Sequence, residues 1–164
     1  MILDIGCGEN KRGDIGIDVR KLEGVDVIAD MHYLPFKDNT FDQVRSVVVL
    51  EHSPNPFQSI KEQAHVLKTG GKLYCETDNA RYWRYHIFLA DHARHFKSKK
   101  YSASETHYMI FYPENIEKLL KLAKLRSVKW KYCLPGGKSK KLDRIIRLFL
   151  SENSYPRFYV IGVK

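Results

Sequence analysis

Two short apolar runs, Ile2–Ile5 and Ile15–Val19, flank Gly6-Cys7-Gly8, and beyond Gly6 only the eight residues Cys7–Asp14 remain to join them. If the runs are neighbouring parallel strands, this connection constrains the fold more than any other stretch. A crossover between parallel strands takes about ten to twelve residues or more and normally contains a helix. Eight extended residues reach at most about 27 Å, and a four-residue strand is about 13 Å long. The return is therefore open to an extended loop and closed to a full helix. The spacing predicts a first crossover helix that is missing or reduced to a turn at Glu9–Lys11.

Further apolar or β-branched runs at 25–29, 43–49 and 71–77 read as strands, as do Ser127–Leu134 and Arg157–Val163. Residues 55–68 carry Phe57, Ile60, Ala64 and Leu67 at helical spacing, with Asn55 as N-cap, Pro56 at the first position and Gly70-Gly71 as the stop. A second helix is expected from Pro113 to about Lys124, with Ile116, Leu119, Leu120 and Ala123 inward, and a third from Lys140 to about Leu150. Strands alternating with helices argue for an α/β sheet with parallel strands. Residues 78–112 break the rhythm. They hold nine of the twenty aromatics and four of the seven histidines, and are expected to form a helix over Ala80–His95 and then a basic loop, together an overhanging lid.

At 164 residues the chain suffices for one buried core and is short for two ordinary domains, so the expectation is a single domain over 1–164. Its parts would be 1–77, the insertion 78–112, and 113–164. No apolar run approaches the length that spans a bilayer, and no signal-peptide plan is visible, so no membrane association is expected. Cys7, Cys75 and Cys133 are isolated and in no metal-ligand spacing, which suits a reducing cytoplasm without disulfide or zinc. His92 and His95 stand one helical turn apart, but no second ligand set accompanies them, so no metal is assigned. The charge is lopsided. Residues 1–78 hold 9 Lys+Arg against 13 Asp+Glu, whereas 79–164 hold 19 against 6, a basic half suited to phosphates or other anions.

The glycine turn fits a dinucleotide fingerprint poorly. That pattern needs a third glycine where Lys11 stands, and an acidic residue about 20 positions on, whereas Asp18 follows Gly8 by ten. A different order of motifs is present: Leu3-Asp4-Ile5-Gly6-Cys7-Gly8, Gly16-Ile17-Asp18-Val19, Asp26-Val27-Ile28-Ala29-Asp30-Met31, Leu34-Pro35-Phe36, Phe41-Asp42, Val49-Leu50-Glu51-His52 and Val66-Leu67-Lys68-Thr69-Gly70-Gly71-Lys72-Leu73. Over about residues 1–77 this order resembles the class I S-adenosylmethionine-dependent methyltransferases of the type-11 family. The resemblance implies a Rossmann-like fold, with a mostly parallel seven-stranded sheet whose last strand is antiparallel. It implies S-adenosylmethionine as cofactor and S-adenosylhomocysteine as product.

It also implies roles for particular residues. Gly6 and Gly8 let backbone approach the methionine moiety without Cβ clashes. Asp18 takes both ribose hydroxyls. Asp30 meets the adenine amino group, the Met31 backbone a ring nitrogen, and Leu34 and Leu50 pack near the adenine. Asp4, Cys7, Val19 and Val47 complete the expected cofactor set. Relatives usually carry helices before the first motif, whereas Leu3 already stands in the first strand, so 78–112 is left as the candidate lid.

Methyl transfer from a sulfonium is an in-line displacement that needs alignment, and it needs a base only for a protonated acceptor. His52 and Glu51 lie where the fourth strand meets the cleft and are the catalytic candidates; a structural role for His52 is the alternative. Asn55-Pro56-Phe57 lies too far along to serve as an adenine-methylating Asn-Pro-Pro-Tyr-like motif and reads as a helix cap. Lys11 and Arg12 are either solvated or meet the cofactor carboxylate. The acceptor is not written in these motifs, and the basic half tilts the reading to an anion, with RNA the leading example. A non-catalytic cofactor-binding subunit of a heteromer, a small-molecule methyltransferase and a plain nucleic-acid-binding module are the competing readings.

Overall fold

The structure, a computed structural model, describes residues 1–82, 107–133 and 155–164. Seven strands, β1 (Ile2–Ile5), β2 (Ile15–Asp18), β3 (Val27–Ile28), β4 (Phe41–Val47), β5 (Leu67–Asp78), β6 (Arg126–Cys133) and β7 (Arg157–Val163), form one sheet in the order β3-β2-β1-β4-β5-β7-β6. The pairs from β3 through to β5 are parallel, and β7 runs antiparallel to both β5 and β6. The last strand is thus the antiparallel one, as expected.

The return from β1 to β2 contains no helix, only turns, as the spacing requires. Hydrogen bonds close it instead. Asp14 N donates to Ile2 O at 2.9 Å, Cys7 N to Ile17 O at 3.0 Å, and Arg12 N to the carboxylate of Asp4 at 2.6 Å. Backbone groups that a helix would have satisfied internally are here satisfied between the strand ends.

Two helices, α1 (Pro56–Val66) and α2 (Pro113–Leu122), touch each other and pack on the sheet, α1 against β5 and α2 against β6 and β7. The Asn55 side chain accepts from Gln58 N at 3.1 Å, so Asn55-Pro56 is the cap and first turn of α1. Its inner face differs from the expectation: Ser59, Ile60, Gln63, Ala64 and Val66 are buried, while Phe57 is 39% exposed. The buried stripe centres between Ile60 and Gln63, which leaves Phe57 at its edge.

The stop of α1 is also corrected. The helix ends at Val66, Leu67 is already extended, and Gly70-Gly71 lie inside β5. Gly70, at φ 79°, sits where β5 loops out between the pairs Phe41–Leu67 and Gln43–Lys72. The carbonyls at the end of α1 are met by a distant side chain, for Lys164 Nζ donates to His65 O at 3.1 Å and Leu67 O at 2.7 Å. Nothing local to 55–71 encodes that cation.

Strand bounds move as well. The fourth strand begins two residues before the expected 43 and ends at Val47, because Val48 adopts φ 56° and donates its N–H out to Glu76 O at 2.8 Å. The third strand shrinks from 25–29 to Val27–Ile28. In α2, Ile116 and Leu120 are fully buried with Leu119 and Ala123 packed beside them, and the chain turns away at Lys124, φ 61°. The core lies along β1, β4, β5 and β7, with Leu3, Ile5, Phe41, Val44, Leu73, Phe158 and Val160 essentially inaccessible. The expected helices over Ala80–His95 and Lys140–Leu150, apart from Ala80–Tyr82, and the pair His92/His95 lie outside the described residues. No helix among the described residues is long and apolar enough to cross a membrane.

Candidate cofactor site

Parallel pairing of β1 with β2 and β4 brings three carboxyl ends to one rim, the place where open α/β sheets hold ligands. A cavity of about 520 Å³ opens there. Ile5 and Gly6 come from the end of β1, Ile17 to Arg20 from β2, Ala29 to His32 from the turn after β3, and Val48, Val49, His52 and Pro54 from the stretch after β4. His107 and Tyr108 close it from the far side of the insertion. They are held there because the Glu51 carbonyl accepts from Tyr108 N at 2.8 Å and from Met109 N at 3.3 Å. This volume falls in the range of small-molecule and cofactor sites.

The rim is strained where it is most confined. Val48 is a β-branched residue in the left-handed region, a conformation it holds only when its surroundings dictate it. Gly6, at φ 62°, sits so close to Val49 that an added Cβ would stand 2.5 Å from Val49 Cγ2. A Cβ added at Gly8, at φ 54°, would meet nothing within 4 Å, and the Gly8 N–H donates to Asp18 Oδ2 at 3.1 Å.

Asp18 is 5% exposed at the end of β2. Its Oδ1 accepts from Arg20 N at 3.0 Å and Arg20 Nε at 3.1 Å, and Arg20 Nη2 stands 3.4 Å from Oδ2. Burial would raise the Asp18 carboxyl, but the Arg20 hydrogen bonds and charge with the Gly8 N–H outweigh it and hold the group below its ordinary value. Asp30 Oδ1 accepts from His32 N at 2.8 Å and lies 2.5 Å from His32 Nδ1, while His32 Nε2 lies 2.6 Å from Ser53 Oγ.

Of the residues expected to hold the cofactor, Gly6, Asp18, Val19, Asp30 and Met31 line the cavity, and so does His52. Asp4, Cys7, Gly8, Leu34, Val47 and Leu50 do not line the cavity. Asp4 is 3% exposed, takes the Arg12 N–H, and has its carboxyl pushed up by burial against the opposing pull of Arg12 and Arg45. Leu34 and Leu50 belong to the core. Lys11 pairs with Asp26 at 2.9 Å. Glu51 is fully buried behind the cavity, with Oε2 accepting from Thr77 Oγ1 at 2.9 Å and Oε1 without a hydrogen-bond partner. Burial, then the charge of Asp78, push its carboxyl up to about 8. Burial likewise raises all three cysteine thiols, which argues against a cysteine nucleophile.

Sequence reasoning missed Arg20, His32, Val48, His107 and Tyr108. Arg20 and His32 each lie two residues beyond a recognised aspartate and were within reach of a local reading. His107 and Tyr108 fall within the lid expected over 78–112, but nothing in the sequence picked them out of it, since only the tertiary path brings them over the rim.

The comparisons agree with this geometry. Residues 16–75 match the family described as Methyltransferase domain. An uncharacterized protein of Methanocaldococcus jannaschii is 38% identical over 87 residues, which take in 44% of this chain and 38% of that protein. Probable tRNA methyltransferase 9B of Bos taurus is 31% identical over 91 residues, covering 44% of this chain and 20% of that one. The matches thus span about two fifths or less of the length of these relatives. Among solved structures, the Haloferax volcanii complex of the Trm112 methyltransferase activator with its methyltransferase superposes with a TM-score of 0.68 at 15% identity, over 99% of this chain and 80% of that one. In fold the chain is similar to that solved methyltransferase, and over residues 16–75 its sequence matches the methyltransferase-domain family.

The two glycines of the turn separate backbone strain from crowding. Gly8→Ala is expected to cost about 1–2 kcal/mol, the left-handed penalty alone. Gly6→Ala adds the clash with Val49 and should cost roughly 2–5 kcal/mol. Urea unfolding of both variants checks this, and equal losses would contradict the packing around Gly6.

Proposed function

We propose that this chain transfers the methyl group of S-adenosylmethionine to an acceptor, with an anionic acceptor such as RNA favoured. The observation that carries the reading is the cavity at the β1–β2–β4 rim, where Gly6, Asp18, Asp30 and Met31 converge in the order that the resemblance requires. The residues fit the cofactor. A Cβ-free wall at Gly6 admits close approach, Asp18 offers a buried carboxylate for a diol, and Asp30 with the Met31 backbone sits one strand further along for a base.

When bound, the cofactor supplies an electrophilic methyl carbon on a sulfonium. The chain's own contribution is to hold and exclude. Asp18 fixes the sugar through charge-assisted hydrogen bonds. Val49 and Val48 wall the cavity, and Tyr108 and His107 cover it, restricting water around the reacting centre. His52 reaches the cavity and is the residue placed to accept a proton from an acceptor. Glu51 lies behind the wall and acts by position, through the carbonyl that holds Tyr108 and Met109.

Arg20 gives the site a competitor. Its guanidinium already occupies the Asp18 carboxylate, so a ribose diol displaces it. An ion pair with Arg20 half exposed is worth about 0.2–1 kcal/mol. The basic half and the tRNA methyltransferase relative support RNA as acceptor, and the Trm112 complex supports a partner subunit. The second reading, a cofactor-binding subunit without its own activity, is favoured by that complex.

Calorimetric titration with S-adenosylhomocysteine tests the cofactor site. Binding is expected, with a loss of tenfold or more in Asp18→Ala and a gain of up to about fivefold in Arg20→Ala. Absence of binding, or an Asp18→Ala variant that binds normally, would overturn the site. Radiolabelled methyl transfer onto tRNA, protein and metabolite fractions tests the activity, with labelling of tRNA the expected result. RNA affinity should fall steeply with added salt if the basic half carries the contact. Transfer to no fraction would favour the subunit reading.

A further inference from the structure

Glu51, His52 and His107 each offer one donor atom, the three atoms lying within 4.8 Å of one another. The two imidazoles meet edge to face with centroids 4.7 Å apart. Their position is the wall between the cofactor cavity and the buried end of β5, with both histidines on the cavity. Glu51 Oε1, in a residue with no solvent exposure, has no hydrogen-bond partner. A buried carboxylate oxygen left without a donor is costly and calls for a proton or a cation.

The charges around it point the same way. Glu51 lies in the field of Asp78, and Arg157 stands 3.4 Å from Asp78 and 3.5 Å from Glu76. Glu76 and Asp78 thus share the Arg157 guanidinium, whose field also reaches Glu51. Asp78 Oδ2 also faces His107 Nδ1 at 3.7 Å, the kind of outer carboxylate that orients metal-bound imidazoles.

We propose that Glu51, His52 and His107 bind a divalent transition-metal ion, of the class of Zn²⁺, Mn²⁺ or Co²⁺, in the wall of the cofactor cavity. Two imidazoles and one carboxylate are a donor set these ions accept, and three protein ligands leave open positions. Bonds of 2.0–2.2 Å space the donors about 3–3.5 Å apart, so the histidine rings close by roughly an ångström as the ion enters. The open positions face the cavity, since His52 and His107 line it.

The use of the ion rests on the methyl-transfer reading; the binding site does not. An acceptor hydroxyl held by the ion ionises more readily. With His52 engaged as a ligand, it no longer serves as the base. The hydroxyl proton leaves to solvent, its oxygen forms the bond to the methyl carbon, and the electron pair of the broken carbon–sulfur bond stays on sulfur. The acceptor class that this site takes is an oxygen nucleophile, a hydroxyl that would otherwise be protonated at neutral pH.

Cobalt is the probe, titrated as Co²⁺ into protein stripped with a chelator and followed by its visible absorption. One equivalent is expected to bind with imidazole-ligand bands and to be displaced by Zn²⁺. His107→Ala and His52→Ala should each weaken binding by at least about tenfold, whereas His65→Ala, on α1 away from the cavity, should leave it unchanged. Glu51→Gln is a third variant, and circular dichroism of each identifies any that does not fold. No cobalt bands, or equal binding by folded His107→Ala and His52→Ala, would overturn the site. Parallel calorimetry with S-adenosylhomocysteine keeps the two claims apart: cobalt without nucleoside binding upholds the metal site and sinks its catalytic use, and nucleoside binding without cobalt sinks the metal site alone.

Discussion

The parallel pairing of β1 between β2 and β4 is the constraint on which the rest of the structure depends. It aligns three carboxyl ends at one rim. Everything that bears chemistry follows within a few residues of those ends: Gly6 after β1, Asp18 at the end of β2, and Val48 to His52 after β4. Because the crossover from β1 to β2 is too short for a helix, hydrogen bonds between strand tips do the work of holding it. Cys7 N reaches Ile17 O, and Gly8 N reaches the Asp18 carboxylate. The same Gly8 contact helps keep Asp18 ionised, so the short return and the electrostatics of the candidate ribose site share one backbone N–H.

The rim combines backbone strain with a buried, unpartnered carboxylate oxygen. Val48 is left-handed without being glycine, Gly6 has no room for a Cβ, and Glu51 Oε1 is buried without a donor. Such costs persist where surrounding packing dictates them, and they cluster at functional sites. Here β4 and β5 supply the dictation. Val48 N bonds to Glu76 O, and Thr77 Oγ1 bonds to Glu51. The end of β5 thereby supports the cavity wall from behind, and its acidic residues define the electrostatic setting of His52 and His107.

Much of the fold was legible because it is written at short range. The strand runs, the Asn55-Pro56 cap and the absence of a first crossover helix follow from local composition and from the reach of a chain. The motifs of the cofactor half were legible for a similar reason: each is a cluster of a few residues at a strand end. Errors fell where a distant group decided the outcome. The end of α1 was assigned to Gly70-Gly71, but Lys164 meets its last carbonyls, and the glycines serve an irregularity of β5 instead. Phe57 was assigned to the core by spacing, yet the buried stripe of α1 is set by the sheet and α2 and leaves it at the edge.

The sequence by itself determined that an α/β sheet must form with a loop in place of its first helix, and which aspartates end its strands. Chain length and strand spacing are properties of the covalent chain, so no tertiary information was needed for either. The tertiary structure alone decided that His107 and Tyr108 lie over the rim, that Arg20 folds back onto Asp18, and that Glu51 is sealed behind the wall while His52 faces the cavity. Those outcomes depend on long-range packing, in which residues far apart along the chain share one desolvated space. No local pattern encodes which of two adjacent side chains, Glu51 or His52, that space will bury.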